Sequence, residues 1–322
     1  MKKISRLIRL PNLLIIAGTQ YAMRHLIMQP LLPSESFKLQ FDHLHFFLLV
    51  LSTVFIAAAG YIINDYFDTR TDRINKPGKV VVGVAVPRRT AMTLHTILNL
   101  AGVGIGIYLS LYIQVIAMSF LFLLPAGLLW FYSTNYKRQF LIGNLIVAFL
   151  TAMVPMVVVL FEIPLLNRLY GNIMLQFDSN FNYMLFWVTG FSLFAFLTTL
   201  IREIIKDAED FEGDAAYGMK TLPIVAGSLL TKLTVTFLII VTVFLLVFVL
   251  VKYILFSAGE TDFISLIYFG VFLVMPLFIL LTLTLIASGK KDYHRASVLI
   301  KLIMLFGVLY SGVVYYLVNY WL

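Results

Sequence analysis

Asn64, Asp65, Asp68 and Asp72 fall at steps of one, three and four residues in the run NDYFDTRTDRINK, directly after the apolar run FFLLVLSTVFIAAAGYII. On a helix the three aspartates share a face, with Asn64 at its edge. A second run, REIIKDAEDFEGDAAYGMKTLP, repeats the device with Glu203, Asp207, Asp210 and Asp214 at steps of four, three and four. Like charges so placed repel one another and call for a cation. Magnesium suits them on ligand grounds, because it prefers oxygen donors and shares its shell between a few carboxylates, water and phosphate oxygens. The five histidines make no zinc-like spacing, no calcium loop is present, and the absence of cysteine removes thiolate nucleophiles and sulfur-ligated metals.

Basic residues are interleaved with these acids. Arg70, Arg73 and Lys76 flank the first segment, and Arg202, Lys206 and Lys220 surround the second. A further cluster, WFYSTNYKRQ, brings Tyr132, Tyr136, Lys137 and Arg138 together. Carboxylates for a metal beside cations for the remaining oxygens suit a bound polyanion. Taken singly, each base serves equally as a charge anchoring a helix end, and the tyrosines as an interfacial belt.

The elements that position these groups are membrane helices. The chain has 322 residues, 61% hydrophobic and 12% charged, and apolar segments recur from end to end. At about 20 residues per span, helices are expected near 13–32, 44–63, 91–112, 115–133, 141–162, 183–204, 228–252, 264–287 and 296–319. The expectation is an all-α polytopic membrane protein, a bundle of nine transmembrane helices around a central cavity. The first segment lacks a small-residue cleavage site and reads as a retained helix. No linker divides the pattern, so residues 1–322 read as one domain.

With a cytoplasmic N-terminus, the connections after the second, fourth, sixth and eighth helices hold Arg70, Arg73, Lys76, Arg88, Lys137, Arg138, Lys206, Lys220 and Lys290. The opposite connections hold only Lys38, Arg168 and Lys252. This asymmetry fixes the orientation and accounts for the net charge of +8 without nucleic acid as a partner. Both acidic segments then lie at the cytoplasmic surface. Asn12, Gln20, Asn99 and Asn144 are polar positions in or near spans and face the bundle interior, for substrate contact or interhelical hydrogen bonding. Arg24 is an intramembrane charge on the other side of the bilayer, free either to snorkel or to pair.

The sequence resembles the UbiA-type membrane prenyltransferases. NDYFDTRTD fits their N-D-x-x-D-x-x-x-D signature and DFEGD their second D-x-x-x-D motif. The resemblance implies a bundle whose two aspartate-rich segments face each other at the cytoplasmic mouth of a cavity open to lipid. On this chain Asn64, Asp68 and Asp72, with Asp210 and Asp214, would hold magnesium ions bridging a prenyl diphosphate. Asp65 and Asp207 would support them, and Asp68 and Asp210 would be indispensable to catalysis. Arg73, Lys76, Lys137, Arg138, Lys206 and Lys220 would meet the diphosphate, and Asn12, Tyr132 and Asn144 would line the substrate cavity. YSTNYK is similar to the family's tyrosine and lysine motif, though its spacing differs from Y-x-x-x-K.

Such a site would ionise the carbon–oxygen bond of the donor, with metal and cations stabilising the departing pyrophosphate. Water must be kept from the allylic cation until a lipophilic acceptor attacks. The segment carrying Arg202, Glu203 and Lys206 is similar to the branch that includes digeranylgeranylglyceryl phosphate synthase, which implies a geranylgeranyl group and the hydroxyl of a glycerol phosphate ether. A menaquinone-type aromatic acceptor is the neighbouring reading. An ion or polyprenyl-phosphate transporter is the reading of another class; it would place its acids near the bilayer midplane rather than at the edge.

Overall fold

In the computed structural model, which describes residues 2–33, 36–75, 78, 80–255 and 261–320, the chain is helical apart from one isolated bridge between Val82 and Val86. The helices are α1 (Lys2–Leu7), α2 (Leu10–Ala22), α3 (His43–Phe67), α4 (Thr71–Asn75), α5 (Arg88–Tyr112), α6 (Phe120–Thr134) and α7 (Ile142–Gln176). They continue with α8 (Asn182–Glu209), α9 (Phe211–Ala216), α10 (Leu222–Val249), α11 (Phe263–Tyr268), α12 (Met275–Ile286) and α13 (Lys290–Tyr320). Wider π-helical turns at Met23–Met28, Leu250–Ile254 and Phe269–Val274 prolong α2 and α10 and join α11 to α12.

Among the described residues eight helices are long and apolar enough to cross a membrane: His43–Phe67, Arg88–Tyr112, Ile116–Thr134, Ile142–Gln176, Asn182–Glu209, Leu222–Ile254, Phe263–Ile286 and Lys290–Tyr320. The protein is therefore an all-α, multi-pass membrane protein. The expected count of nine is corrected to eight on this criterion. Leu10–Met28 does form a helix where the first span was expected, but Asn12, Gln20, Arg24 and His25 dilute its apolar character.

The helices form two compact units. One comprises Met1–Lys137 and Met153–Thr189, the other Arg138–Ala152 and Gly190–Leu322. The chain passes from one to the other after Lys137, within α7 and within α8.

In the first unit α3 packs along α5 through small residues. Ser52 Oγ donates to the Gly102 carbonyl at 2.7 Å, and a Cβ added at Gly102 would lie 3.0 Å from the Ser52 carbonyl oxygen. One turn on, Gly106 lies directly under the Phe122 ring of α6. Such close approach is how helices associate where lipid offers no hydrophobic driving force between them. At one end of α3, Leu7, Ile62, Val81, Val82, Val86 and Ala91 form a small core that ties the N-terminal segment to the acidic one. At the other end Arg24 does pair: its Nη1 donates to Glu162 Oε2 at 3.1 Å, and both side chains are buried. Glu162 Oε1 also accepts from the amides of Gln40 and Phe41, while Arg24 Nη2 donates to the Phe41 carbonyl.

In the second unit a core of Ile201, Ile204, Ile205, Leu277, Leu280, Ile300 and Ile303, among others, unites α8, α12 and α13. Gly307 of α13 sits against the Phe194 ring of α8, and Tyr310 bonds Ser265 of α11 at 2.8 Å.

Candidate functional site

The first acidic segment runs across the end of one helix and the start of the next. The α-helix of α3 ends at Phe67, Asp68 caps it with its amide bonded to the Asn64 carbonyl, and α4 restarts at Thr71. Asp72 still donates its amide to the Asp68 carbonyl at 2.9 Å, so the turn keeps helical pitch. The carboxylates take different partners. Asp68, only 6% exposed, accepts from Asn64 Nδ2 at 2.7 Å and from Lys137 Nζ, both on Oδ2. Asp65 turns to Arg9, whose Nη2 donates to Oδ1 at 2.7 Å. Repulsion among the acids is thus relieved within the chain by two cations brought from distant segments.

Lys137 reaches Asp68 because a tight 3-10 turn at Tyr136–Arg138 follows α6. Burial alone would draw the Lys137 ammonium's pKa down; the attraction of Asp68 outweighs this and holds it above the ordinary lysine value. Tyr132, buried at the end of α6, lies within electrostatic reach of the same ammonium. The unclean motif spacing therefore does not keep Lys137 from the site. Arg9 is the residue that sequence reasoning missed. It lies just before α2 with positive φ, and its guanidinium stacks 5.0 Å over the Tyr61 ring. Burial lowers the Arg9 pKa and Asp65 raises it, with the net shift upward. Asn12 donates to the Tyr61 hydroxyl at 3.4 Å, one turn of α3 from Asp65. Arg73 is exposed beside this group, and Lys76 lies outside the described residues.

The second acidic segment lies in the other unit. Glu203 and Asp207 belong to α8, Asp210 links it to α9, and Asp214 is on α9, its amide donating to the Asp210 carbonyl at 3.2 Å. Glu203, Asp210 and Asp214 are buried. Asn144, from the start of α7, donates to Asp207 Oδ2 at 2.8 Å. An intramembrane asparagine thus finds the carboxylate as its hydrogen-bond partner. Glu203 binds Arg202 Nη1 at 2.5 Å and Lys206 Nζ at 3.6 Å. Lys220 and Arg138 are exposed, their backbones joined by a hydrogen bond of 2.9 Å.

Among the described residues no three of His, Cys, Asp and Glu lie close enough to hold a metal ion. The donor set nevertheless fits magnesium. It offers only carboxylate and amide oxygens, and that ion usually takes one or two protein carboxylates and completes its shell with water and phosphate oxygens. Calcium, which needs six to eight oxygen ligands, or zinc would ask for a more complete protein cage.

The family model for the UbiA prenyltransferase family matches residues 36–306, which include both acidic segments. Digeranylgeranylglyceryl phosphate synthase of Sulfurisphaera tokodaii is 35% identical over 175 residues, 53% of this chain and 54% of that one. The matched region thus spans about half the length of such curated relatives. A solved structure described as giving insights into digeranylgeranylglyceryl phosphate synthase in membranes superposes with a TM-score of 0.65 at 24% identity, covering 98% of both chains. A UbiA homolog from Archaeoglobus fulgidus bound to DMAPP and Mg2+ superposes with a TM-score of 0.55 at 14% identity, covering 97% of this chain and 99% of that one. At these identities the structural likeness speaks for the fold.

Proposed function

The chain belongs to the UbiA prenyltransferase family, and from that premise we propose that it transfers a prenyl group from a prenyl diphosphate to a lipophilic acceptor. The observation that carries the reading is Asp68, a buried carboxylate at the end of a membrane span that holds a lysine ammonium and an amide on one oxygen. Asn64, Asp68, Asp72, Asp210 and Asp214 are the residues that would hold magnesium. When bound, the metal supplies Lewis-acid stabilisation of the departing pyrophosphate.

The chain's own groups do the rest. Asn64 orients Asp68, Asn144 orients Asp207, and Arg9 restrains Asp65. Lys137, whose ammonium Asp68 favours, neutralises diphosphate oxygens together with Arg73, Arg138, Lys206 and Lys220. Tyr132 adds a hydroxyl beside Lys137, and Asn12 and Asn144 supply polar positions near the prenyl path. Apolar spans keep water from the allylic cation in a central cavity. Residues 1–322 are read as one prenyltransferase domain, as the extent of the family match supports. Leu10–Met28 is read as a ninth span, about 28 Å long at 1.5 Å per residue. The distribution of Lys and Arg supports a cytoplasmic N-terminus and site.

Similarity to digeranylgeranylglyceryl phosphate synthases supports a geranylgeranyl donor and, as acceptor, the hydroxyl of a glycerol phosphate ether. The test is purified protein with magnesium and geranylgeranyl diphosphate, offered glycerol phosphate ether, dihydroxynaphthoate and hydroxybenzoate in parallel, with product masses read out. The ether product is expected, and Asp68→Ala and Asp210→Ala should each abolish pyrophosphate release. A prenyl group on an aromatic carbon would replace the ether-lipid reading by the quinone-precursor one. Full turnover by both variants would refute the metal assignment.

A further inference from the structure

The second unit carries two charges, Arg202 and Lys301, that the prenyl-transfer site does not use. His294 Nδ1 and Glu209 Oε1 meet at 2.8 Å, which sets α13 beside the end of α8. Farther along, Gly307 packs on Phe194, and the Tyr310 and Phe191 rings lie 6.4 Å apart. Three contacts in which numbers rise on α13 as they fall on α8 define antiparallel helices in fixed register. Seven residues from His294 is Lys301, and seven residues before Glu209 is Arg202. Two helical turns, about 10 Å, therefore bring these two cations to the same level. Lys301 feels the charges of Arg202, Glu209, Lys206 and Glu203.

Two like charges are thus neighbours inside membrane-spanning helices. Lys301 is bracketed by Val298, Leu299 and Ile300 on one side and Leu302, Ile303 and Met304 on the other. It is exposed, and it makes no hydrogen bond or ion pair with any described residue. The acids nearby are engaged elsewhere: Glu209 with His294, and Glu203 with Arg202 Nη1 and Lys206. Glu203 takes up one donor of the Arg202 guanidinium, which carries five. An ammonium beside a guanidinium within membrane-spanning helices, sharing its nearby acids Glu203 and Glu209 with other bases, marks a functional position. A doubly charged oxyanion would satisfy both, the guanidinium by a paired fork of N–H donors and the ammonium as a point charge.

We propose that Arg202 and Lys301 bind the phosphate headgroup of a lipid, and that the acceptor's phosphate is its source during turnover. The proposal rests on the glycerol phosphate ether reading for that source. It gives the acceptor a phosphate anchor distinct from the magnesium-binding aspartates, and it makes Lys301 a determinant of acceptor specificity.

The test is direct binding to the full chain in detergent, followed by native mass spectrometry. The probes are geranylgeranyl glycerol phosphate ether, its dephosphorylated alcohol and phosphatidylglycerol, each offered to wild type, Lys301→Gln and Lys301→Arg. Lys301→Gln should weaken the phosphate ether about tenfold or more, the scale of one lost charge-assisted hydrogen bond. It should leave the alcohol and geranylgeranyl diphosphate with magnesium unchanged, and Lys301→Arg should restore binding. Because Lys301 is exposed, the substitution spares the core. A loss confined to phosphatidylglycerol would uphold the lipid-phosphate site but overturn the acceptor as its source. Equal binding of all three probes by wild type and Lys301→Gln would overturn the site itself. Turnover of an aromatic acceptor would refute the ether reading without touching the binding result, so the two failures are separable.

Discussion

At the scale of the residue, the acids are already partnered. Asp68 holds Lys137 and Asn64, Asp65 holds Arg9, and Asp207 holds Asn144, so each carboxylate is oriented by a side chain brought to it by the fold. Lys137→Met should therefore raise the KM for prenyl diphosphate about tenfold or more while leaving the acceptor's KM unchanged. Its pKa is raised by Asp68, so the pair is fully present below the unfolded lysine value of about 10.4 and is lost only as pH climbs through the higher folded value. Wild-type turnover should accordingly show no fall due to this group between about pH 7 and 9, which a pH–rate profile checks. The aspartates themselves were legible from spacing. Arg9 was not, because 56 residues separate it from Asp65 and only the folded chain closes that distance.

At the scale of the element, helix ends matter more than helix interiors. Helical spacing drew attention to Asp65, Asp68 and Asp72, yet α3 stops at Phe67 with Asp68 as its cap and α4 restarts at Thr71. Spacing arithmetic assumes an unbroken helix and cannot see such a turn. Close packing of α3, α5 and α6 was also invisible, because glycine at positions 102 and 106 carries no hydrophobic signal. Gly106→Ala drives a methyl group into the Phe122 ring and should destabilise the protein by about 1–3 kcal/mol. Combining it with Phe122→Ala should cost less than the sum of the two single changes, as a thermal-unfolding double-mutant cycle in detergent would show. Additive losses would mean that the ring does not meet the new methyl.

At the scale of the whole molecule, the natural absence of cysteine makes orientation directly measurable. Single cysteines replacing Lys38 and Arg168 should react with an impermeant maleimide added outside intact cells. Cysteines replacing Arg70 and Lys290 should react only after permeabilisation, and the reverse pattern would invert the topology. The count of spans shows where composition stops being informative. Leu10–Met28 is helical, but its polar and charged residues weaken the apolar signal, and Arg24 is accommodated by Glu162, which lies 138 residues away. By itself the sequence determined the membrane-helical class, the approximate spans and the two aspartate-rich segments, because lipid demands long apolar helices and a metal demands clustered oxygen donors. Only the tertiary structure decided which cation meets which carboxylate, where the acidic helices break, and that Lys301 stands beside Arg202. Those pairings join residues far apart in the chain, and a periodic pattern carries no information about which distant helix faces meet.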